Sequence, residues 1–312
     1  MSDIKKVTIV GATGHLGQHI LTALLASPTL TVQILTRNNS ASPLPLPPNI
    51  PPTTPIIRAD YSSISSLKSA FHGQDAIVSV VGIGGVSDQI NMIDAAVAVG
   101  VKRFIPSEFG NHPELEGKRL PETRATQVEK KRVMAYLGEM EGRGEGGLSW
   151  TAMAVGNFFD WSIKRFPAFG FHLPTHTARI YDNGTEPFTG VLIDSIGQAV
   201  VGTLLNPIPT ANKFLRIRSL ETNQNEILAA FEKVTERKWT VERISTKELY
   251  RAGQEKLARG DRGWVLDVVV TQIFEEGKGR SVVVSREEAD NGLVGVEEVE
   301  VEDVVREIMR DW

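Results

Sequence analysis

Residues 7–20 read Val7-Thr8-Ile9-Val10-Gly11-Ala12-Thr13-Gly14-His15-Leu16-Gly17-Gln18-His19-Ile20. A short β-branched run is followed by glycines at every third position and then by apolar residues at helical spacing, which predicts a strand, a turn and a helix. Gly11 would permit the sharp turn, Gly14 would let backbone N–H groups approach a pyrophosphate, and Gly17 would let the helix lie close to the sheet. The stretch therefore predicts a dinucleotide site, and the alternative is an ordinary strand-to-helix turn.

Composition limits the classes to which the protein can belong. Its 312 residues are 41% hydrophobic, enough for a full core and two lobes, and its net charge of -4 disfavours a nucleic-acid-binding face. The absence of cysteine removes disulfides, thiol nucleophiles and iron–sulfur ligation. No apolar run reaches the roughly 18 residues that span a bilayer, and the first strand begins too early to leave room for a leader. We expect a cytoplasmic protein without nucleic-acid or membrane partners.

Strand and helix patterns alternate after the first helix. Further strands are predicted at residues 31–37, 56–60, 75–82, 103–106 and 148–155. Helices are predicted at residues 64–71, 89–99 and 124–137, and a glycine-rich surface loop at residues 142–147. This order predicts an α/β fold with a doubly wound parallel sheet of the Rossmann, NAD(P)-binding type.

The residue at the end of the second strand bears on the choice of dinucleotide. An acidic residue there would bind the adenosine ribose and favour NAD, whereas a basic residue accommodates the 2′-phosphate of NADP. Here the position is Arg37, whose planar and permanently charged guanidinium suits a phosphate. We therefore expect NADP(H) as cofactor, and the alternative is that Arg37 is an ordinary surface residue.

The second half of the chain has a different character. Beyond Gly156 the aromatic density rises and the alternation fades, which predicts a smaller lobe closing over the cofactor. We expect residues 1–156 to form the NADP(H)-binding Rossmann domain. Residues 157–312 would form mainly a C-terminal substrate-binding lobe, with some segments returning to the first domain. The acidic end, residues 297–312, is interpreted as a solvated helical cap.

The usual catalytic groups of dehydrogenases are absent from the sequence. Ordinary short-chain dehydrogenases use a Tyr followed four positions later by Lys, and none of the tyrosines here has that partner. A zinc dehydrogenase would need Cys or clustered His ligands. His172 and His176 are separated by Pro174, which argues against a shared helical face, so no metal site is expected.

Three segments carry a resemblance to a known family: residues 11–17 (GATGHLG), 101–110 (VKRFIPSEFG) and 130–137 (KKRVMAYL), supported by 156–159 (GNFF). Together they resemble the isoflavone reductase-like branch of the NmrA-like, atypical short-chain dehydrogenase family, in a fungal or microbial form. The resemblance implies an NADP(H)-dependent reductase of small phenylpropanoid-type aromatics. A sister branch contains regulators that bind the dinucleotide without turning it over.

The resemblance also implies a catalytic lysine on the helix after residues 106–110. Lys130 fits this position best, and Lys131 is the alternative. Such a lysine could polarise a carbonyl or phenolic oxygen if burial and the charges of Lys131 and Arg132 lower its pKa. Phe109 would also border the nicotinamide. The full set of expected cofactor-binding residues is Gly11, Thr13, Gly14, His15, Leu16, Gly17, Arg37, Val81, Gly82, Ser107, Lys130, Asn157 and Phe158.

Three functions remain open at this point. The first is an NADPH-dependent reductase of a small aromatic or unsaturated carbonyl compound, with Lys130 supplying the proton and a homodimer as a possible assembly. The second is a non-catalytic NAD(P)-binding redox sensor, which would have no use for Lys130. The third is a sugar-nucleotide epimerase or dehydratase, against which the missing Tyr–Lys dyad counts. Lys130 favours the reductase, because fold analogy alone cannot separate these functions.

Overall fold

The computed structural model describes residues 3–40, 42–48, 50–143 and 147–312. Its strands are β1 (Lys6–Val10), β2 (Thr31–Arg37), β3 (Ile56–Ala59), β4 (Ala76–Ser79), β5 (Arg103–Ile105), β6 (Ser149–Ala154), β7 (Asn157–Phe158), β8 (Phe171–His172), β9 (Thr177–Tyr181), β10 (Phe188–Val191), β11 (Lys213–Arg216), β12 (Leu220–Thr222) and β13 (Thr240–Ile244). The α-helices are α1 (His15–Ala26), α2 (Ile64–Phe71), α3 (Gln89–Ala98), α4 (Pro121–Ala125), α5 (Val128–Arg143), α6 (Phe159–Arg165), α7 (Ile193–Leu205), α8 (Gln224–Thr235), α9 (Thr246–Ala258), α10 (Trp264–Phe274), α11 (Asn291–Val294) and α12 (Val301–Arg310).

A seven-stranded parallel sheet organises the first half of the described chain. Its strand order is β11-β6-β5-β4-β1-β2-β3, so the order reverses beside β1. In an open parallel sheet, ligands bind at such a switch point, outside the carboxyl ends of the strands. The last strand, β11, comes from far along the chain and pairs with β6 through Leu215 and Met153.

Helices cover both faces of this sheet. Alternate strand residues point to opposite faces, so Ile9 packs with α1 and α7 on one side, whereas Val10 packs with α2, α3 and α5 on the other. Both residues are fully buried, as expected for a sheet with helices on both sides. The predicted doubly wound α/β fold is therefore confirmed.

The second half of the chain has its own apolar core. The sheets β12-β10-β7 and β13-β9-β8 pack with helices around a cluster of buried aromatic rings: Phe159, Phe169, Phe171, Phe188, Phe231 and Phe274. The helix α12 packs against α8 and buries Val304, Val305 and Ile308 in this cluster. The interpretation of the acidic end as a solvated cap was therefore wrong, because α12 is charged on one face only and its apolar face is part of the core.

The helix predicted at residues 124–137 is divided in two. Thr123 donates to the carbonyl oxygen of Leu120, and Thr126 donates to that of Thr123, so local side-chain hydrogen bonds accompany the end of α4 at Ala125. A new helix, α5, then begins at Val128 and places Lys130 in its first turn. Residues 142 and 143 of the predicted loop belong to α5, and residues 144–146 lie outside the described part of the chain.

A buried arginine joins β5 and β6 near their amino-terminal ends. Arg103 is fully buried on β5 and donates to the hydroxyls of Ser149, Thr151 and Thr210 at 2.9, 2.7 and 3.1 Å. It also donates to the carbonyl oxygen of Pro207 at 2.5 Å, and burial lowers its pKa to about 10. These bonds connect β5, β6 and the segment that precedes β11.

Candidate active site

The glycine turn after β1 has the steric constraints that its spacing predicts. Gly11 has φ +87°, and a Cβ atom there would overlap the carbonyl oxygen of Val80. A Cβ atom on Gly17 would overlap the carbonyl oxygen of Gly11, so α1 can approach the turn only with glycine at this position. Gly14 differs, because it is exposed and the nearest atom to a Cβ there, Gly11 O, lies at 3.5 Å. Gly11 and Gly17 are thus required by the fold, while Gly14 leaves room for a ligand.

The first cavity lies above this turn and has a volume of about 390 Å³. Gly14 is the residue before α1 and provides no side-chain cap, so backbone N–H groups of the first helical turn remain available for an anion. The cavity extends from the turn across the ends of β2 and β4; its lining includes Gly11, Thr13, Gly14, Thr36, Arg37, Ser40, Tyr61, Val81, Gly82 and Gly85.

Arg37 lies at the far end of the first cavity. Its guanidinium donates to Asp88 at 3.0 Å and lies 5.1 Å from the centroid of the Tyr61 ring. Arg58 stabilises the turn after β2 by donating to the carbonyl oxygens of Arg37 and Ser40, at 3.4 and 2.9 Å. A cation is therefore held where a 2′-phosphate would lie in this fold.

The second cavity continues from the first and has a volume of about 240 Å³. The two share Gly14, Val80, Val81 and Gly82, and the second is completed by His15, Leu16, Gly17, Ser107, Phe109 and Lys130. Ser107 fixes one wall, since its Oγ donates to the carbonyl oxygen of Val81 and its N–H donates to Gln89 Oε1, both at 2.8 Å. The segment after β5 is thus attached to the end of β4.

Lys130 lines the second cavity, and Lys131 does not. The Lys130 ammonium donates to the carbonyl oxygen of Glu108 at 3.3 Å, whereas Lys131 pairs with Glu116 at 2.7 Å with 56% of its side chain exposed. Burial lowers the pKa of Lys130; the Glu108 carboxylate opposes this shift and Arg119 adds to it. The predicted lowering thus arises from burial and Arg119 rather than from Lys131 and Arg132.

A third cavity of about 270 Å³ adjoins Lys130. Its lining includes Glu108, Arg119, Gln127, Lys130, Lys131 and Met134. Burial raises the pKa of the Glu108 carboxyl, and the positive charges of Lys130 and Arg119 partly offset this rise. Two basic side chains, Lys130 and Arg119, and one acidic side chain, Glu108, are therefore close together beside the second cavity.

Asn157 and Phe158 line neither the first nor the second cavity within the described chain. Asn157 donates to the carbonyl oxygen of Thr189 at 3.2 Å, which joins β7 to β10. Phe158 is connected to the second cavity through neighbouring rings. The ring centroid of Trp161 lies 6.5 Å from that of Phe158 and 5.6 Å from that of His15, which lines the cavity. The Phe166 centroid lies 6.0 Å from that of Trp161. We call His15, Phe158, Trp161 and Phe166 the aromatic row.

Sequence reasoning missed Tyr61, Asp88 and Arg119. Asp88 and Arg119 lie in loops whose positions depend on the fold, and no local pattern indicates them. Tyr61 follows β3, so its place at the carboxyl edge of the sheet could have indicated it. Asp60, which directly follows β3, accepts from Ser62 N–H and Oγ at 2.9 and 2.7 Å and so closes the turn.

Among the described residues, no group of three or more His, Asp and Glu side chains is placed to hold a metal ion. His172 contacts Thr175 Oγ1 at 2.7 Å, and His176 packs on Trp239 with a ring-centroid distance of 5.4 Å. None of the helices in the same part of the chain is long and apolar enough to cross a membrane.

Known proteins resemble the chain in both sequence and fold. The oxidoreductase poxI of Penicillium oxalicum is 41% identical over 306 residues, covering 98% of this chain and 94% of that protein. The leucoanthocyanidin reductase of Vitis vinifera, solved with NADPH, has a TM-score of 0.76 at 24% identity and covers 98% and 99% of the two chains. AtPrR2, solved with NADP+ and (+)-pinoresinol, has a TM-score of 0.76 at 22% identity and covers 99% and 100%.

The first of these likenesses bears on the class of activity and the other two on the fold. The predicted class, an oxidoreductase, is confirmed by the likeness to the Penicillium protein over nearly the whole of both chains. The profile of the NmrA-like family matches residues 3–258, which contain the glycine turn, Arg37 and Lys130. The chain therefore belongs to the NmrA-like family, as its motifs had indicated.

Proposed function

We propose that the protein is an NADPH-dependent reductase of a small aromatic or unsaturated carbonyl compound, in which Lys130 handles the proton. The observation that carries this proposal is the position of Lys130. Lys130 is half-buried, its pKa is lowered, and it lines the second cavity. That cavity continues into the first, which is lined by the glycine turn and by Arg37. A protein that only binds the dinucleotide would need the turn and Arg37 but not this lysine.

The residues present fit NADP(H) along both cavities. The N–H groups at the start of α1 and the space over Gly14 would hold the pyrophosphate, and Arg37 would hold the 2′-phosphate while Tyr61 supports its guanidinium. Val81, Gly82, Ser107 and Phe109 would border the nicotinamide in the second cavity. The Vitis reductase, which has the same fold and was solved with NADPH, supports this placement.

Lys130 has the chemistry that a carbonyl reduction requires from the protein. When bound, NADPH supplies a hydride to the substrate carbon. The Lys130 ammonium can donate a hydrogen bond to the substrate oxygen and then transfer its proton to it, because its lowered pKa makes proton loss easier than for an exposed lysine. The carbonyl oxygen of Glu108, 3.3 Å away, orients the ammonium for this role.

The substrate would lie between Lys130 and the aromatic row. Trp161 and Phe166 are stacked, partly exposed and linked to the second cavity through His15, so they offer a flat apolar surface for an aromatic ring. We therefore place the substrate lobe in residues 157–312, apart from α7 and β11, which pack with the nucleotide half. The likeness to AtPrR2 in complex with (+)-pinoresinol supports an aromatic substrate.

The decisive experiment compares NADPH oxidation by wild type, Lys130→Ala and Lys131→Ala against phenylpropanoids, quinones and enones. NADPH and NADH affinities are measured by calorimetry in parallel. We expect Lys130→Ala to lose turnover while it binds NADPH normally, and Lys131→Ala to retain turnover. Arg37→Ala should weaken NADPH binding much more than NADH binding. Turnover that persists in Lys130→Ala would contradict the assigned role, and binding without turnover across the panel would favour a dinucleotide sensor.

A further inference from the structure

The third cavity is a separate compartment that meets the second at Lys130. Glu108 lines the third cavity, whereas its chain neighbours Ser107 and Phe109 line the second. Lys130 belongs to both linings. Lys130 is therefore the lining residue that the two compartments share. The proposed function above uses only the second cavity and leaves the third unexplained.

Arg119 is the unusual group in this cavity. It is 9% exposed, and its guanidinium makes one hydrogen bond, from a terminal nitrogen to the carbonyl oxygen of Asn111 at 3.3 Å. Within the described part of the chain, its buried Nε has no hydrogen-bond partner. A buried charged group with few acceptors is costly for a folded protein and is tolerated where a ligand supplies acceptors. The Arg119 side chain thus lines the cavity with a guanidinium whose donors are mostly unused.

The charges around the cavity leave an excess of one positive charge. Lys131 and Glu116 neutralise each other at 2.7 Å. Arg119 interacts with the carboxyl groups of both Glu116 and Glu108, and Lys130 interacts with that of Glu108, so three cations share two carboxyl groups on this lining. The cations on the lining therefore outnumber the carboxylates by one, which favours an anionic ligand.

We propose that the third cavity binds a carboxylate group of the substrate between Arg119 and Lys130. This inference rests on the proposed function and deepens it, because it makes the substrate a small aromatic acid. Arginine presents a planar set of donors that matches the two oxygens of a carboxylate. A volume of about 270 Å³ is enough for a carboxylate group and the atoms that join it to the rest of the substrate.

The carboxylate would also fix the direction in which the substrate is presented. With its acid group at Arg119, the rest of the molecule must pass Lys130 to reach the second cavity. The reducible carbon would then lie on the nicotinamide side, and its oxygen would lie beside the Lys130 ammonium. The third cavity thus acts as the anchor, and the second as the place of reaction.

The test uses benzoate and its neutral counterpart benzamide as probes, because the natural substrate is unidentified. Affinities for both are measured by ligand-observed NMR with wild type, Arg119→Gln and Arg132→Gln. We expect wild type to bind benzoate about tenfold more tightly than benzamide, as one charge-assisted hydrogen-bonded pair would give. Arg119→Gln should abolish this preference. Arg132→Gln should retain it, because Arg132 is 68% exposed and does not line the third cavity.

Several outcomes would overturn the inference. They are equal binding of the two probes by wild type, a preference that survives in Arg119→Gln, or a preference that is lost equally in Arg132→Gln. A second measurement needs no variant: benzoate should slow acetylation of Lys130 by acetic anhydride, relative to Lys131, and benzamide should not. Failure of this protection would refute the site even if Arg119→Gln did not fold.

The same data separate this inference from the proposed function. If Lys130-dependent NADPH oxidation occurs but the protein binds benzoate and benzamide equally, the carboxylate site alone is refuted. If benzoate binds as expected but NADPH is never oxidised, the reductase proposal fails while the anion site remains. NADPH affinity, measured for each variant, reports whether the nucleotide half has folded.

Discussion

Asp88 holds Arg37 by a hydrogen bond of 3.0 Å while the Tyr61 ring lies against the same guanidinium, with its centroid 5.1 Å away. The two contacts have opposite consequences for a phosphate. Tyr61 supports the cation and leaves its donors available, whereas Asp88 occupies one donor and repels a second anion. Arg37 and Asp88 are 48% and 31% exposed, so their ion pair is weak enough for a ligand to displace.

Asp88→Asn should therefore improve discrimination for NADPH. A half-exposed pair contributes about 0.2–1 kcal/mol, so we expect NADPH affinity to rise up to about fivefold while NADH affinity stays unchanged. Calorimetry with both nucleotides measures the ratio. Asp60→Asn is the matched control, because Asp60 lies nearby but bonds to Ser62 and does not line the cavity. An unchanged ratio in Asp88→Asn would show that the pair does not oppose phosphate binding.

Gly14→Ala and Gly17→Ala should separate binding from folding. The new methyl group at Gly17 would overlap backbone, so we expect a loss of unfolding free energy of about 2 kcal/mol or more. At Gly14, with φ −75°, it meets the protein at 3.5 Å, so stability should change by less than about 1 kcal/mol. NADPH affinity should nevertheless fall at least about tenfold in Gly14→Ala. Urea unfolding and calorimetry together measure both effects, and normal nucleotide binding by Gly14→Ala would exclude it from the site.

Glu108→Gln should lower the pKa of Lys130 further. The Glu108 carboxylate stabilises the charged ammonium and so raises that pKa, and its removal leaves burial and Arg119, which both lower it. The pH profile of Lys130 acetylation, followed by peptide mass spectrometry, should move to lower pH. Glu116→Gln should leave this profile in place, because Glu116 pairs with Lys131. A profile that moves upward in Glu108→Gln would contradict the assigned electrostatics.

The same variant should change how stability depends on pH. The folded-state pKa of Glu108 is raised, so ionising this carboxyl costs stability as pH rises from the unfolded pKa through the folded one. Glu108→Gln has no group to ionise there. The urea midpoint of Glu108→Gln should therefore rise relative to that of wild type as pH is raised from 4 towards 8. If the midpoint of Glu108→Gln instead falls relative to that of wild type over this range, Lys130 and Arg119 stabilise the Glu108 carboxylate by more than its burial costs.

Arg103→Met should destabilise the whole sheet. The hydroxyls of Ser149, Thr151 and Thr210 would each lose a charged donor, and hydrogen bonds to charged groups contribute about 1.5–3 kcal/mol each. Since methionine fills most of the volume, we expect a net loss of about 3 kcal/mol in urea unfolding. Arg132→Met is the control, because Arg132 is 68% exposed and its contact with Glu129 is 3.9 Å. Equal stability of the two variants would contradict this role for Arg103.

The fold, and the position of Arg37 in one cavity with the glycine turn, were predictable because they depend on local signals. Glycine spacing and strand-to-helix alternation are properties of short stretches, and Arg37 is the last residue of β2. The sequence favoured Lys130 over Lys131, but the division of the predicted helix into α4 and α5 was not predictable. Hydrogen bonds of Thr123 and Thr126 accompany that break, and helical periodicity does not reveal them.

The third cavity could not be predicted for a different reason. Glu108 was within a quoted motif, but nothing in the sequence indicates that Arg119 turns inward to meet it. Arginine is usually exposed, whereas Arg119 is 9% exposed and donates to the carbonyl oxygen of Asn111 in the segment after β5. Groups that converge from separate loops become visible only once the chain is folded.

The pairing of β11 with β6 has a consequence for the newly made chain. While the ribosome is still producing residues 157–212, β6 has no neighbour on its outer side, and the apolar face of α1 lacks the cover of α7 until residues 193–205 emerge. An unpaired strand edge beside an uncovered apolar surface attracts other chains. Translation speed and chaperone supply during this interval should therefore influence the yield of native protein more strongly than the stability of the finished fold would suggest.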